Sequence, residues 1–266
     1  MKRTPVVFIH GAWLHALSWE PWVERFASRG FLACAPGWPG APETAGELRG
    51  SPGVLRGIGL DVLTDHYAGI VRSFDIAPVI IGHSVGGLIA QHLIAADIGR
   101  AAVAIAPSPV NDVPQLELPF HVGQLTEDAE QVVSLSPERF HQVVANTVAV
   151  EEARLLHERY AVPAPLCLLS DLGYGGGHRS PRAAADVVNA RRGPLLLVSG
   201  QEDRLVPDAA TRAVYKQYGD TTAVTDLKQF ADRAHSLVID GGWRLVADHV
   251  LRWLSERGVR ARPPES

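Results

Sequence analysis

The chain has 266 residues, a formal net charge of −4 at pH 7, 46% hydrophobic residues and two cysteines. That length and apolar content can fill one large core; the mild acidity and scattered arginines exclude a nucleic-acid-binding surface. Cys34 and Cys167 alone support neither a disulfide framework nor a cysteine-based metal centre, and no run approaches the roughly 20 apolar residues of a membrane helix. A soluble, cytoplasmic protein without membrane association is expected, acting as a monomer or homodimer.

The start, Met-Lys-Arg-Thr-Pro, has a positive tip, but only four apolar residues follow and no small-residue cleavage site. Residues 6–9 therefore read as a strand. It runs into His10-Gly11-Ala12-Trp13, where the glycine allows a turn, and a second strand is expected at 31–35. Leu60, Leu63, Tyr67, Ile70, Val71 and Phe74 then recur at helical spacing.

A third strand, 79–81, leads into Gly82-His83-Ser84-Val85-Gly86 and continues as an amphipathic helix with Leu88, Ile89, His92 and Leu93 on one face. A bend this tight leaves no room for side chains two residues to either side of Ser84, which explains Gly82 and Gly86. It holds Ser84 exposed at the carboxyl end of the strand. It also turns the Val85 amide toward the reacting atom, and the N-terminal dipole of the helix favours negative charge there. Such a setting suits a nucleophile.

After a strand at 102–105 the strand–helix rhythm stops. Between 107 and 192 proline and glycine are frequent, helical fragments occur at 137–145 and 151–160, and no strand is predicted. This stretch reads as a helical cap inserted into an α/β core made of 1–106 and 193–258. The core resumes with strands at 195–199 and 224–230, a helix at 209–218 capped by Asp208, and a last helix at 243–257. Residues 259–266 lack an apolar pattern and are expected to fray. The alternation of strands and helices predicts an α/β fold with a mostly parallel central sheet flanked by helices.

A serine hydroxyl needs a base, and the base needs a group that fixes its tautomer. Asp203 lies in the loop after the strand 195–199, and His235 in the loop between the strand 224–230 and the final helix. The order Ser84, Asp203, His235 is that of a nucleophile–acid–base triad on a sheet of this kind. Glu202 is a competing acid beside Asp203. His66, His92, His157 and His249 fall in helical patterns, His83 is expected to pack or hydrogen-bond locally, and His10, His15 and His178 lie on loops within reach of a pocket. No spacing suggests a metal site.

With these residues in hand, the chain resembles the α/β-hydrolase superfamily, in its serine esterase and lipase branch. The matches are His10-Gly11-Ala12-Trp13, Gly82-His83-Ser84-Val85-Gly86, Gly200 through Pro207 and Ala234-His235-Ser236. The resemblance implies a Ser-His-Asp hydrolase needing neither metal nor organic cofactor. It also implies that the superfamily's first antiparallel strands are absent or reduced here. It makes Ala12 the second oxyanion donor beside Val85, with Trp13 as the alternative, and adds Asp112 as a possible acid, since some members take theirs from the preceding strand. Relatives that open haloalkanes or epoxides mostly use an Asp nucleophile, so Ser84 argues against both.

Candidate pocket walls are Trp13, Leu14, Trp38, Val85, Phe120, Leu125, Phe140 and Tyr174, and the run 173–177 is either a lid hinge or an irregular loop. The expected substrate is a small uncharged hydrophobic ester, cleaved through an acyl-enzyme. Two other readings stay open: a C–C bond hydrolase or hydroxynitrile-lyase-like enzyme, and a small-molecule receptor that keeps the triad without turnover.

Overall fold

A computed structural model describes residues 3–113, 132–174 and 180–261. Six strands, β1 (Pro5–Ile9), β2 (Leu32–Cys34), β3 (Val79–His83), β4 (Ala101–Ile105), β7 (Leu195–Gly200) and β8 (Thr225–Phe230), form one sheet in the order β2-β1-β3-β4-β7-β8. All of its pairings are parallel. The four inner strands are buried along their whole length, whereas β2 and β8 at the edges are partly exposed. Sheets covered on both faces take continuous apolar runs, which is why Val-Val-Phe-Ile and Leu-Leu-Leu-Val mark strands here.

The helices outside the segment between β4 and β7 are α1 (Glu20–Ser28), α2 (Ala45–Gly50), α3 (Leu60–Arg72), α4 (Val85–Ala95), α8 (Asp208–Gln217) and α9 (Trp243–Glu256), and all but the short α2 cover the sheet. One face carries α1 and α9, joined through Trp22 against Trp243 and through Arg25 with Asp248. The other carries α3, α4 and α8, with Tyr218 Oη donating to Gln91 Oε1 at 3.1 Å. Right-handed crossovers put α1 opposite α3, α4 and α8, because the chain leaves β1 toward one edge and β3 toward the other. The reversal falls between β1 and β3, and the crevice outside the carboxyl ends of strands at such a point is where open α/β sheets bind ligands.

Expectations for α4, α8 and the tail change on the structure. α4 is buried at every residue except His92, so it is a central helix rather than an amphipathic one. Asp208 does not cap α8; Pro207 occupies the cap position, and the Asp208 carboxylate instead accepts from Ser199, Gln229 and Arg212. The tail expected to fray from 259 starts docked: Val259 is buried, and the carbonyls of Arg260 and Ala261 accept from Thr4.

Between β4 and β7 the described residues hold α5 (Pro137–Val143), α6 (Val150–Tyr160) and α7 (Leu166–Asp171). They also hold a ribbon of β5 (Val132–Val133) and β6 (Ala164–Pro165), paired antiparallel. Two-residue strands carry no periodicity, which is why the sequence gives no sign of this pair.

Phe8 on β1 anchors the core beneath α1. Its ring lies 5.0, 6.1 and 5.2 Å from those of Trp19, Trp22 and Phe26, and all four are fully buried. Truncating a ring in such a cluster leaves a cavity that rigid neighbours cannot close. Phe8→Ala is expected to lower unfolding free energy by about 3–5 kcal/mol, read by urea denaturation.

Candidate active site

Ser84 stands between β3 and α4, buried rather than exposed as the turn predicts, at φ 56°, ψ −121°, a region that a residue with a side chain seldom occupies. The backbone around it holds that conformation. Its N–H donates to Ile105 O at 3.0 Å on β4, while its carbonyl accepts from Gly87, Leu88 and Ser108 at 2.9 to 3.1 Å. Space dictates the flanking glycines: a Cβ on Gly82 would lie 1.9 Å from Gly86 O, and one on Gly86 would lie 2.2 Å from Ile9 O. The carboxyl ends of β1 and β3 and the first turn of α4 therefore touch backbone to backbone.

The loop after β1 faces this elbow. A Cβ on Gly11 would come 2.7 Å from Ser84 Cβ, so glycine is needed there for close approach. The turn itself does not depend on it, because the left-handed residue of the loop is Trp13, at φ 60°. Trp13 is held by two contacts to the segment between β4 and β7: its Nε1 donates to Val133 O at 3.0 Å, and its carbonyl accepts from Val162 N at 3.1 Å. Among the described residues neither the Ala12 nor the Val85 amide has a hydrogen-bond acceptor.

Asp203 follows β7 in a turn that its own carboxylate organises. Oδ1 accepts from the Leu205 and Val206 amides, both at 2.8 Å, and Oδ2 lies 2.7 Å from His235 Nδ1. Both side chains are buried, at 0% and 2% exposure. A carboxylate oxygen accepts, so the His235 Nδ1–H points at Asp203 and a neutral ring turns the lone pair of Nε2 the other way. Nε2 is buried and has no partner among the described residues. Glu202 and Asp112, the alternative acids, are both exposed.

His83 does more than pack locally. Its Nε2 donates to His235 O at 2.9 Å, across 152 residues, and the two ring centroids are 4.5 Å apart. It thereby ties the elbow to the loop of His235. Burial, with the nearby His235 and His10, holds the His83 pKa well below the ordinary imidazole value. His10 is also buried; its ring stacks on Trp38 at 4.7 Å and its Nδ1 donates to Gly11 O at 3.0 Å. His15 donates to Pro42 O and accepts from Leu17 N, so both of its nitrogens serve the backbone. His178 lies outside the described residues.

Of the expected wall residues, Trp13, Leu14, Trp38, Val85, Phe140 and Tyr174 are all buried in one apolar cluster. Tyr174 approaches Trp13 at 6.1 Å, while Phe140 sets its ring edge-on to His157 of α6, in the packing of α5 on α6. Phe120 and Leu125 lie outside the described residues, as do 175–177 of the glycine run. Among the described residues no three His, Cys, Asp or Glu side chains converge as metal ligands would, and no helix is long and apolar enough to cross a membrane.

Residues 6–257 match the model of a family described as the alpha/beta hydrolase family. The chain belongs to that family. Among solved structures, this α/β hydrolase is similar to a methylesterase from Arabidopsis, 18% identical with a TM-score of 0.66, over 95% of this chain and 99% of that one. It is also similar to the monoacylglycerol lipase of Paleococcus ferrophilus, 18% identical with a TM-score of 0.67, over 95% and 94%. A pyrethroid hydrolase from Sphingobium faniae, 17% identical with a TM-score of 0.64, aligns over 95% and 97%. At these identities the likeness is one of fold. No curated protein matches the chain in sequence.

The buried histidines make stability depend on pH. Burial lowers the His10 pKa from 6.5 to about 4, so between those values the unfolded chain binds a proton that the folded chain excludes. Stability from this group is complete above pH 6.5 and is lost as pH falls toward 4. Unfolding free energy at pH 4.5 is expected to fall by about 2–3 kcal/mol on account of His10 alone, with His83 acting in the same direction. Denaturant titrations at the two pH values measure it, and His10→Gln should flatten the slope.

Proposed function

We propose that this α/β hydrolase is a carboxylic-ester hydrolase working through Ser84, His235 and Asp203. The observation that carries the reading is the buried 2.7 Å contact of His235 Nδ1 with Asp203 Oδ2. It leaves the opposite ring nitrogen without a partner among the described residues, on the loop that His83 ties to the Ser84 elbow. In this reading Ser84 Oγ attacks the ester carbonyl and passes its proton to His235 Nε2. Asp203 stays ionised and stabilises the imidazolium through Nδ1–H.

The carbonyl oxygen, now negative, takes hydrogen bonds from the Val85 and Ala12 amides, whose fixed dipoles need no reorganisation as charge develops. His235 then gives the proton to the leaving alcohol, and the acyl group stays on Ser84 Oγ. Water, deprotonated by the same nitrogen, attacks the acyl carbonyl, releases the acid and restores the serine.

Two features support an uncharged, hydrophobic acyl group. Trp13, Leu14 and Val85, next in the chain to Ala12 and Ser84, are buried and apolar, and burial keeps His10 and His83 neutral near pH 7. Residues 107–192 act in this reading as a cap: their described part contributes Val133 and Val162 to hold Trp13, and Val144 to hold Ser236.

Ser84→Ala should bring p-nitrophenyl butyrate hydrolysis down to background with far-UV circular dichroism unchanged. Asp203→Asn, which removes the charge that fixes the tautomer, should cost about 10³- to 10⁴-fold in kcat. Turnover that survives Ser84→Ala contradicts the assignment. A wild-type protein that binds small ligands tightly without turning over any ester points to a receptor instead.

A further inference from the structure

Asp240 lies five residues beyond His235, is fully buried, and belongs to none of the groups assigned above. It sits just before α9, and its carboxylate has three donors. Oδ2 accepts from Ser236 Oγ at 3.0 Å, while Oδ1 accepts from Gly242 N at 2.9 Å and from Arg233 Nη1 at 3.4 Å. Its own amide donates to Ser236 O at 2.9 Å. Burying a carboxylate costs several kcal/mol unless donors surround it, and here the donors lie on either side of His235.

Ser236 is the residue bonded to His235, and each of its polar groups is engaged. The amide donates to Val144 O at 2.8 Å, the carbonyl accepts from Ile239 and Asp240, and the hydroxyl goes to Asp240. Arg233, on the other side of His235, reaches Asp240 with its guanidinium, which packs so closely on Gly242 that a Cβ there would lie 2.1 Å from Cζ. The Arg233 carbonyl accepts from Glu202 N at 3.0 Å, beside Asp203. Asp240 thus grips the His235 loop before and after the histidine, and Arg233 continues the connection to the loop that carries Asp203.

We propose that Asp240 is a positioning residue for His235, fixing the backbone on which the imidazole turns through Ser236 Oγ and the Arg233 guanidinium, while Asp203 fixes the ring. The proposal rests on the reading of His235 as the general base. It predicts a loss in the chemical step and not in substrate binding, since Asp240 contacts neither Ser84 nor the imidazole.

Asp240→Asn, Ser236→Ala and the double variant are compared on a p-nitrophenyl ester, with Asp226→Asn as control. Asp226 accepts from Trp253 and Arg257 and belongs to no part of the site, so its loss costs stability alone. Each test variant should lower kcat about 10- to 100-fold, the range in which small misplacements of a catalytic group fall. KM should stay within about twofold, and the double variant should lose no more than the worse single one. The low-field proton resonance of His235 Nδ1–H should shift or broaden in Asp240→Asn and in Ser236→Ala, and stay in place in Asp226→Asn.

A folded Asp240→Asn or Ser236→Ala variant with wild-type kcat overturns the proposal. So does a loss that merely follows the folded fraction, as in Asp226→Asn. If Asp240→Asn does not fold, Ser236→Ala decides. If the wild type turns over no ester, the ester reading fails on its own, and the resonance still decides whether Asp240 positions His235.

Discussion

The site rests on a backbone contact that admits no side chains. Ile9 O, Gly82, Gly86 and the first turn of α4 meet so closely that a methyl group on either glycine would overlap a carbonyl oxygen. Ser84 can sit at φ 56° only because this contact, together with the hydrogen bonds of its own amide and carbonyl, surrounds it. A residue held there costs on the order of 1–3 kcal/mol, which the neighbouring structure must offset. In return the hydroxyl stands at the carboxyl ends of β1 and β3, at the reversal of strand order.

The remaining parts are placed relative to that serine by long-range bonds. His83, next to Ser84 in sequence, reaches the carbonyl of His235; Asp203 reaches its ring; Val144 reaches the amide of Ser236. The segment between β4 and β7 also holds Trp13, and the Leu14–Ala161 bridge lies beside that contact. One segment therefore touches both the loop that carries Ala12 and the loop that carries His235. A change in its packing would move the two loops together.

Much of this could be read in the chain itself. The four inner strands, buried on both faces, appear as unbroken apolar runs, and all six strands of the main sheet fall within a residue or two of their expected limits. The elbow was legible because steric crowding leaves a fixed pattern of glycines, and the partnership of Asp203 with His235 because each loop follows a strand in the same sheet. What could not be read depends on contacts between distant residues. Nothing near His83 marks its bond to His235, and nothing near Trp13 shows that it, rather than Gly11, takes the left-handed conformation. The all-round burial of α4 follows from its central place in the fold, which a local count of apolar residues does not report. Asp208 matches the local pattern of a cap, yet Ser199 and Gln229 from the neighbouring strands compete for its carboxylate and win.

In the proposed mechanism folding activates a single serine. The native protein is reacted with a fluorophosphonate and the adduct mapped by mass spectrometry. One adduct per chain is expected, on Ser84, formed by the folded protein and absent when urea unfolds it before labelling. An unlabelled protein, or label spread over other serines at a comparable rate, overturns the mechanism.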